Sequence, residues 1–223
     1  QYDAALESWV AYTWSQIAND VKCWQAALAA EGLAPGDRVA IMLGNCAAWV
    51  AFDQAALGLG LVTVPLYLDD RPDNAAWIIE HSDAKLLLVE GRFQYRKLAE
   101  IAAAAPGLQR IVGLTRPEPD ERLDPRFVVA ADWLAGHEKT AIPERAVTPD
   151  MLASIVYTSG TTGRPKGVML SHDNLLFNAA AAARCADFDE NEVFLSFLPL
   201  SHTLERTGGL LLPMLLGAEV VYS

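Results

Sequence analysis

Apolar residues recur along this chain with two periods, and the alternation between them predicts its elements. Behind Thr13, the residues Trp14, Ile17, Val21, Trp24 and Leu28 return at three- and four-residue steps, which predicts a capped helix running to about Ala30. Gly32 and Pro35-Gly36-Asp37 end it and turn the chain into residues 38–43, a continuous apolar run of the kind buried in parallel sheets. Gly44-Asn45 opens a second helix over about 47–59, and 61–66 reads as the next strand. The alternation continues with a helix from Pro72 through Ser82, a strand at 85–89, a helix over about 94–104 and a strand at 109–114. A polar, turn-rich stretch follows at 115–126, and 136–150 loses periodicity and reads as a connector. Repeated strand-helix-strand units with apolar strands imply an α/β fold built on doubly wound, mostly parallel sheets. In this frame Trp24 and Trp49 read as core, His81 as a helix-end cap or dipole partner, and His172, beside the helix start Ser171-His172-Asp173-Asn174, as a capping-region residue facing solvent.

One polar stretch interrupts two apolar runs. Residues 151–157 read as a buried strand, 168–170 as a second strand, and between them lie Thr158, Ser159, Gly160, Thr161, Thr162, Gly163, Arg164, Pro165, Lys166 and Gly167. Hydroxyls, backbone amides and one ammonium at a hairpin tip are phosphate-binding groups. The nucleotide loop written G-x-x-x-x-G-K-[ST] does not fit: counted from Gly160 it requires glycine at 165 and serine or threonine at 167, where Pro165 and Gly167 stand. An anion here would be held by loop amides, by Thr158, Ser159, Thr161 and Thr162, and by Lys166. A solvated Ser/Thr/Gly connector has the same composition.

Composition narrows the partners. Of 223 residues 52% are apolar, and 17 basic against 28 acidic side chains leave a net charge of −11. A chain that repels phosphate overall is a poor nucleic-acid or anionic-membrane surface, so no nucleic acid is expected and peripheral membrane contact is not indicated. Cys23, Cys46 and Cys185 are scattered and odd in number, without metal-ligand spacing, so a cytoplasmic location is the simplest expectation. The longest apolar stretches, 57–68 and 208–218, fall short of the roughly 18 residues a membrane span needs and are broken by Pro65 and Pro213. The first residue, Gln1, and an ending in the strand-like Val220-Val221-Tyr222-Ser223 suggest a fragment. Oligomeric state is not legible.

A second cluster, Ser201, His202, Thr203, Glu205 and Arg206, follows a strand read as ending at Pro199, and ligands of open α/β sheets gather at the carboxyl ends of strands. With a helix starting near Thr203, His202 and Arg206 share a face. On the residues alone, Glu205 and Arg206 equally read as exposed helix-start charges and His202 as a structural cap.

The ordered string from Thr158 to Gly167 resembles the signature loop of the adenylate-forming (AMP-binding) superfamily. Leu198-Pro199-Leu200-Ser201-His202-Thr203-Leu204-Glu205-Arg206 is similar to the motif that follows that loop in long-chain fatty acyl-CoA synthetases, with Leu204 where an aromatic residue is more usual. The segments 36–41 and 62–67 are similar to the opening α/β unit of the family, so the resemblance runs over nearly the whole chain.

The resemblance implies part of a large N-terminal domain, with 1–150 as a first α/β unit and 151–223 as the signature hairpin and the start of the next. It implies ATP-dependent activation of a long-chain fatty acid to an acyl-adenylate, then transfer to CoA, with Mg²⁺ as cofactor and fatty acid, ATP and CoA as partners. Carried over, Thr158, Ser159, Gly160, Thr161, Thr162, Gly163, Lys166 and Thr203 bind nucleotide. Thr158 also contacts Mg²⁺, and His202 with Lys166 serves catalysis. The family's acidic Mg²⁺ ligand, its ribose-binding aspartate and the lysine of a small C-terminal domain fall beyond Ser223, so this chain alone is expected to be inactive. An adenylating ligase with a carrier-protein or amine acceptor, and a non-catalytic nucleotide-binding module, remain open alternatives.

Overall fold

The computed structural model describes residues 1–3, 7–91, 100–101, 103–118, 124–158 and 164–222. Two short strands, β1 (Tyr2–Asp3) and β2 (Ser8–Trp9), pair antiparallel at the start. Helix α1 (Trp14–Ala30) then begins as its pattern predicts: the Gln16 N–H donates to Thr13 Oγ1 at 3.2 Å, and the Thr13 N–H donates to Gln16 Oε1 at 2.7 Å. This reciprocal cap satisfies two backbone donors that would otherwise lack partners. Gly36, at φ +90°, supplies the turn into the sheet that a side chain would resist.

The strands β3 (Arg38–Met42), β4 (Val62–Pro65), β5 (Ala84–Val89), β6 (Arg110–Gly113), β7 (Phe127–Val129), β8 (Leu152–Thr158) and β9 (Lys166–Ser171) form one sheet in the order β7-β6-β5-β3-β4-β8-β9. All neighbours are parallel except β8 and β9. Helices α2 (Ala47–Gly58), α3 (Pro72–His81) and α4 (Ala130–Gly136) follow β3, β4 and β7. The helix expected over 94–104 falls largely outside the described residues.

The burial of β3 shows why its sequence is apolar throughout. Val39 and Ile41 pack with Trp24, Leu28, Trp49 and Phe52 on the face covered by α1 and α2. Ala40 and Met42 point the other way, into a second core with Ala76, Ile79 and Ile111 under α3. A period-2 backbone between two helical layers must be apolar on both faces, giving a three-layer α/β/α arrangement. Trp24 and Trp49 are core residues as read, with 4% and 0% exposure.

Beyond the hairpin, α5 (His172–Ala183) starts with a second reciprocal cap between Ser171 and Asn174. Strands β10 (Val193–Ser196) and β11 (Glu219–Tyr222) form a separate parallel pair. They are joined through α6 (Thr203–Glu205), a π-helical stretch Arg206–Leu211 and α7 (Leu212–Leu216). The strand expected to reach Pro199 thus stops at Ser196. No helix among the described residues is long and apolar enough to cross a membrane.

Candidate active site

The hairpin places Thr158 directly opposite Lys166 at its mouth, with Tyr157 opposite Gly167 one step further in. Both Thr158 and Lys166 are exposed. Ser159, Gly160, Thr161, Thr162 and Gly163 lie outside the described residues. Gly167 is demanded by packing: a Cβ there would stand 2.8 Å from Ile155 Cγ2 and 3.2 Å from Tyr157 Cζ.

The root of the loop is braced against α3. The Tyr157 hydroxyl and His81 Nδ1 are 2.7 Å apart, His81 stacks on Trp77 with ring centroids at 4.6 Å, and Trp77 meets Tyr157 edge-on at 5.9 Å. The Arg164 guanidinium lies over the same Trp77 ring, 5.5 Å from its centroid, in cation–π range. Burial raises the Tyr157 phenol above its ordinary range, so it stays protonated. His81, expected as a helix-end residue of α3, is therefore also a strut to the hairpin strand.

His202 caps α6: its Nδ1 accepts from the Leu204 N–H at 3.2 Å, which requires that nitrogen to be unprotonated and leaves Nε2 as the donor of the neutral ring. The side chain is exposed, as is that of Thr203. Asn45, just ahead of α2, holds the approach to this segment. Its Nδ2 donates to Ser196 Oγ at 3.0 Å and to the Leu198 carbonyl at 2.6 Å, and its Oδ1 accepts from the Leu200 N–H at 2.9 Å. Sequence reading missed this role, although its position past the carboxyl end of β3 is the kind of place where sites form.

Thr158 and Thr203 line a common cavity of about 290 Å³, with Asn174, Asn178 and Thr207 as further polar lining and Leu175 among the aliphatic side. Lys166 and His202 are outside that lining. The hairpin and the second motif, far apart in sequence, thus meet through Thr158 and Thr203, while Lys166 projects from the mouth of the loop.

Two readings are corrected. Glu205 and Arg206 are not exposed helix-start charges: they are 6% and 1% exposed, and Arg206 pairs with the buried Asp53. The partners of Arg206 come from distant elements, whereas Glu205 Oε1 is buried with no hydrogen-bond partner among the described residues. His172 does not point wholly into solvent: its Nε2 is buried and has no hydrogen-bond partner among the described residues. Burial first, then the Arg206 charge, lowers its pKa below the usual histidine value, while Asp53 opposes them. Burial likewise pushes the Cys46 thiol up to about 11, so it is not a nucleophile. Among the described residues no group of three or more His, Cys, Asp or Glu gathers to hold a metal ion.

A family model described as AMP-binding enzyme matches residues 2–223. The chain belongs to that family. Among curated AMP-binding relatives, it is 32% identical over 200 residues to a long-chain-fatty-acid–CoA ligase of Mycobacterium bovis, covering 89% of this chain and 33% of that protein. It is 29% identical over 215 residues to the medium-chain fatty-acid–CoA ligase of Escherichia coli, covering 94% of this chain and 37% of that one. The anthranilate CoA ligase AuaEII, solved in complex with anthranoyl-AMP, superposes with a TM-score of 0.83 at 23% identity, over 93% of this chain and 39% of its own. The chain therefore spans about a third of the length of the curated relatives it matches, and its mostly parallel α/β sheet is the fold of adenylate-forming enzymes.

Proposed function

We propose that this chain supplies the phosphate-binding half of a site that activates a long-chain fatty acid with ATP and passes the acyl group to CoA. The carboxylate attacks the α-phosphate, the bond to the bridging oxygen breaks, and pyrophosphate leaves; the CoA thiol then displaces AMP from the acyl-adenylate. The observation that carries the reading is the meeting of Thr158, opposite Lys166 on the hairpin, with Thr203 beside His202 across one cavity. In such a displacement catalysis is mostly positioning and charge neutralisation, which a hydroxyl-rich loop and an ammonium provide.

In this assignment Lys166, with Thr158, Ser159, Thr161 and Thr162 and the amides of Gly160 and Gly163, grips the β- and γ-phosphates. Thr203 faces the nucleotide, and the neutral His202 offers its Nε2–H beside the acyl-adenylate. The donor set suits Mg²⁺ only as a single hydroxyl from Thr158, which accords with an ion that keeps waters and substrate phosphates as its other ligands. When bound, Mg²⁺ neutralises phosphate charge. The acidic metal ligand, ribose-binding aspartate and C-terminal lysine implied by the resemblance would come from sequence beyond Ser223, so 1–223 represents part of a larger N-terminal domain. The first-named relative supports the long acyl chain, and a fatty-acid class is common to both relatives.

Calorimetry with Mg-ATP tests the reading. The wild-type chain is expected to bind, Lys166→Ala to lose about tenfold or more in affinity through the missing charge-assisted contact, and the 223-residue chain to show no pyrophosphate exchange with ATP and fatty acid. Equal binding by wild type and Lys166→Ala would sink the assignment of Lys166. A thiol-acceptor assay on the protein containing the further domain separates CoA from a carrier-protein or amine acceptor.

A further inference from the structure

Arg206 makes a fork of buried contacts that the local sequence does not reveal. Its Nη1 donates to Ser154 Oγ at 2.7 Å, and its Nη2 donates to Asp53 Oδ1 at 2.6 Å and to Thr63 Oγ1 at 3.1 Å. The guanidinium stacks 5.6 Å from the centroid of the Trp49 ring. Asp53, Thr63 and Ser154 are all fully buried, and they belong to α2, β4 and β8. Withdrawing two charges from water is a poor device for stability alone, since an apolar pair of similar volume often serves as well or better. Arg206 Nε has no partner among the described residues, so the guanidinium is oriented by its three acceptors rather than by full satisfaction of its own donors.

The geometry shows what such a contact sets. Ser154 lies on the strand that ends in Thr158 at the loop mouth. The Arg206 N–H donates to the His202 carbonyl at 3.0 Å, closing the turn that carries His202 and Thr203, and Thr207 follows into the shared cavity. One side chain therefore ties the inner strand of the phosphate hairpin to the histidine segment. Lysine, a single point charge on a flexible stem, could not span the same acceptors from two nitrogens.

We propose that Arg206 is a positioning residue that clasps the His202–Thr207 turn to β8 and so sets the separation of Thr203 and Thr158 across their cavity. The clasp rests on the contacts above; only what it serves rests on the functional reading.

The test replaces the clasp by an apolar pair, Asp53→Leu with Arg206→Met, and compares it with Arg206→Lys. The apolar pair leaves the hydroxyls partnered, because Ser154 Oγ donates to the Thr63 carbonyl at 2.9 Å and Thr63 Oγ1 donates to Ser154 Oγ at 3.2 Å. Urea unfolding of the double variant is expected to remain cooperative with a midpoint near wild type. Segment-resolved hydrogen exchange is expected to quicken by about tenfold or more over 202–211 and over 154–158, with β3 and β5 unchanged. Mg-ATP affinity is expected to fall with it, and Arg206→Lys to give an intermediate result on both readouts. Wild-type exchange over 202–211 in a folded double variant would overturn the clasp. If that variant does not fold, wild-type exchange in Arg206→Lys does the same. Absence of Mg-ATP binding by the wild-type chain would count against the functional reading, while the exchange measurement would still decide the clasp.

Discussion

At residue 167 the hairpin admits only a hydrogen. The Cβ of an alanine would meet Ile155 Cγ2 at 2.8 Å, on a branched side chain held in the adjacent strand, and Tyr157 Cζ at 3.2 Å, on a ring fixed by His81. Gly167→Ala is therefore expected to lower stability by about 1–3 kcal/mol, as overpacking does where neighbours cannot shift. Urea titration reads this, and a loss below about 0.5 kcal/mol would show slack the strand is not expected to have. His172 gives the residue scale a pH dependence. Its folded pKa lies below the ordinary value of 6.5, because burial and the Arg206 charge disfavour the imidazolium more than Asp53 favours it. The unfolded chain then binds the proton more readily, so the stability contribution is present above about pH 6.5 and is lost as pH falls through that value toward the folded pKa. Thermal midpoints measured between about pH 8 and pH 5.5 should fall less steeply in His172→Gln than in wild type; parallel curves would mean the ring titrates as if in water.

The brace between α3 and the hairpin belongs to the scale of elements. Trp77 touches both Arg164, at the loop exit, and Tyr157, in β8, so α3 holds the loop at one end of the strand pair. Trp77→Leu keeps apolar bulk but removes the ring face. On the proposed function it is expected to weaken Mg-ATP binding by about 0.5–1 kcal/mol, the range of a partly exposed cation–π contact, with little change in the urea midpoint. Unchanged affinity would mean that Arg164 does not set the loop. The elements also show which parts of this site were legible in sequence. The cap of α1 could be read because Thr13 stands just ahead of the apolar period that opens with Trp14 and Ile17, and the hairpin because two apolar runs flank a run of glycines and hydroxyls. Strand β7 and α4 were not, because Phe127–Val129 and Ala130–Gly136 are too short to establish a period. The burial of Arg206 is not legible for a different reason: its acceptors sit at 53, 63 and 154, and only tertiary packing brings them together. Asn45 escaped notice for the same reason, since its partners are 151 or more residues away.

At the scale of the whole molecule, the two larger of the three hydrophobic cores among the described residues share the walls of one sheet. Ile41 faces the core of α1 and α2, while its neighbours Ala40 and Met42 face the core under α3, so neither layer can be loosened without moving β3. The hairpin is attached to the same sheet through the pairing of β4 with β8, which makes the site's position depend on both cores. Ile41→Ala empties volume at a fully buried central position and is expected to cost about 2–5 kcal/mol. If the layers form one cooperative unit, far-ultraviolet circular dichroism and tryptophan fluorescence will follow a single shifted transition in that variant. Of the six tryptophans, Trp24, Trp49 and Trp133 belong to one core and Trp77 packs against the other, so the fluorescence samples both layers. Two separated transitions would show instead that the layer carrying α3, and with it the hairpin brace, unfolds independently of the layer that buries Asp53 and Arg206.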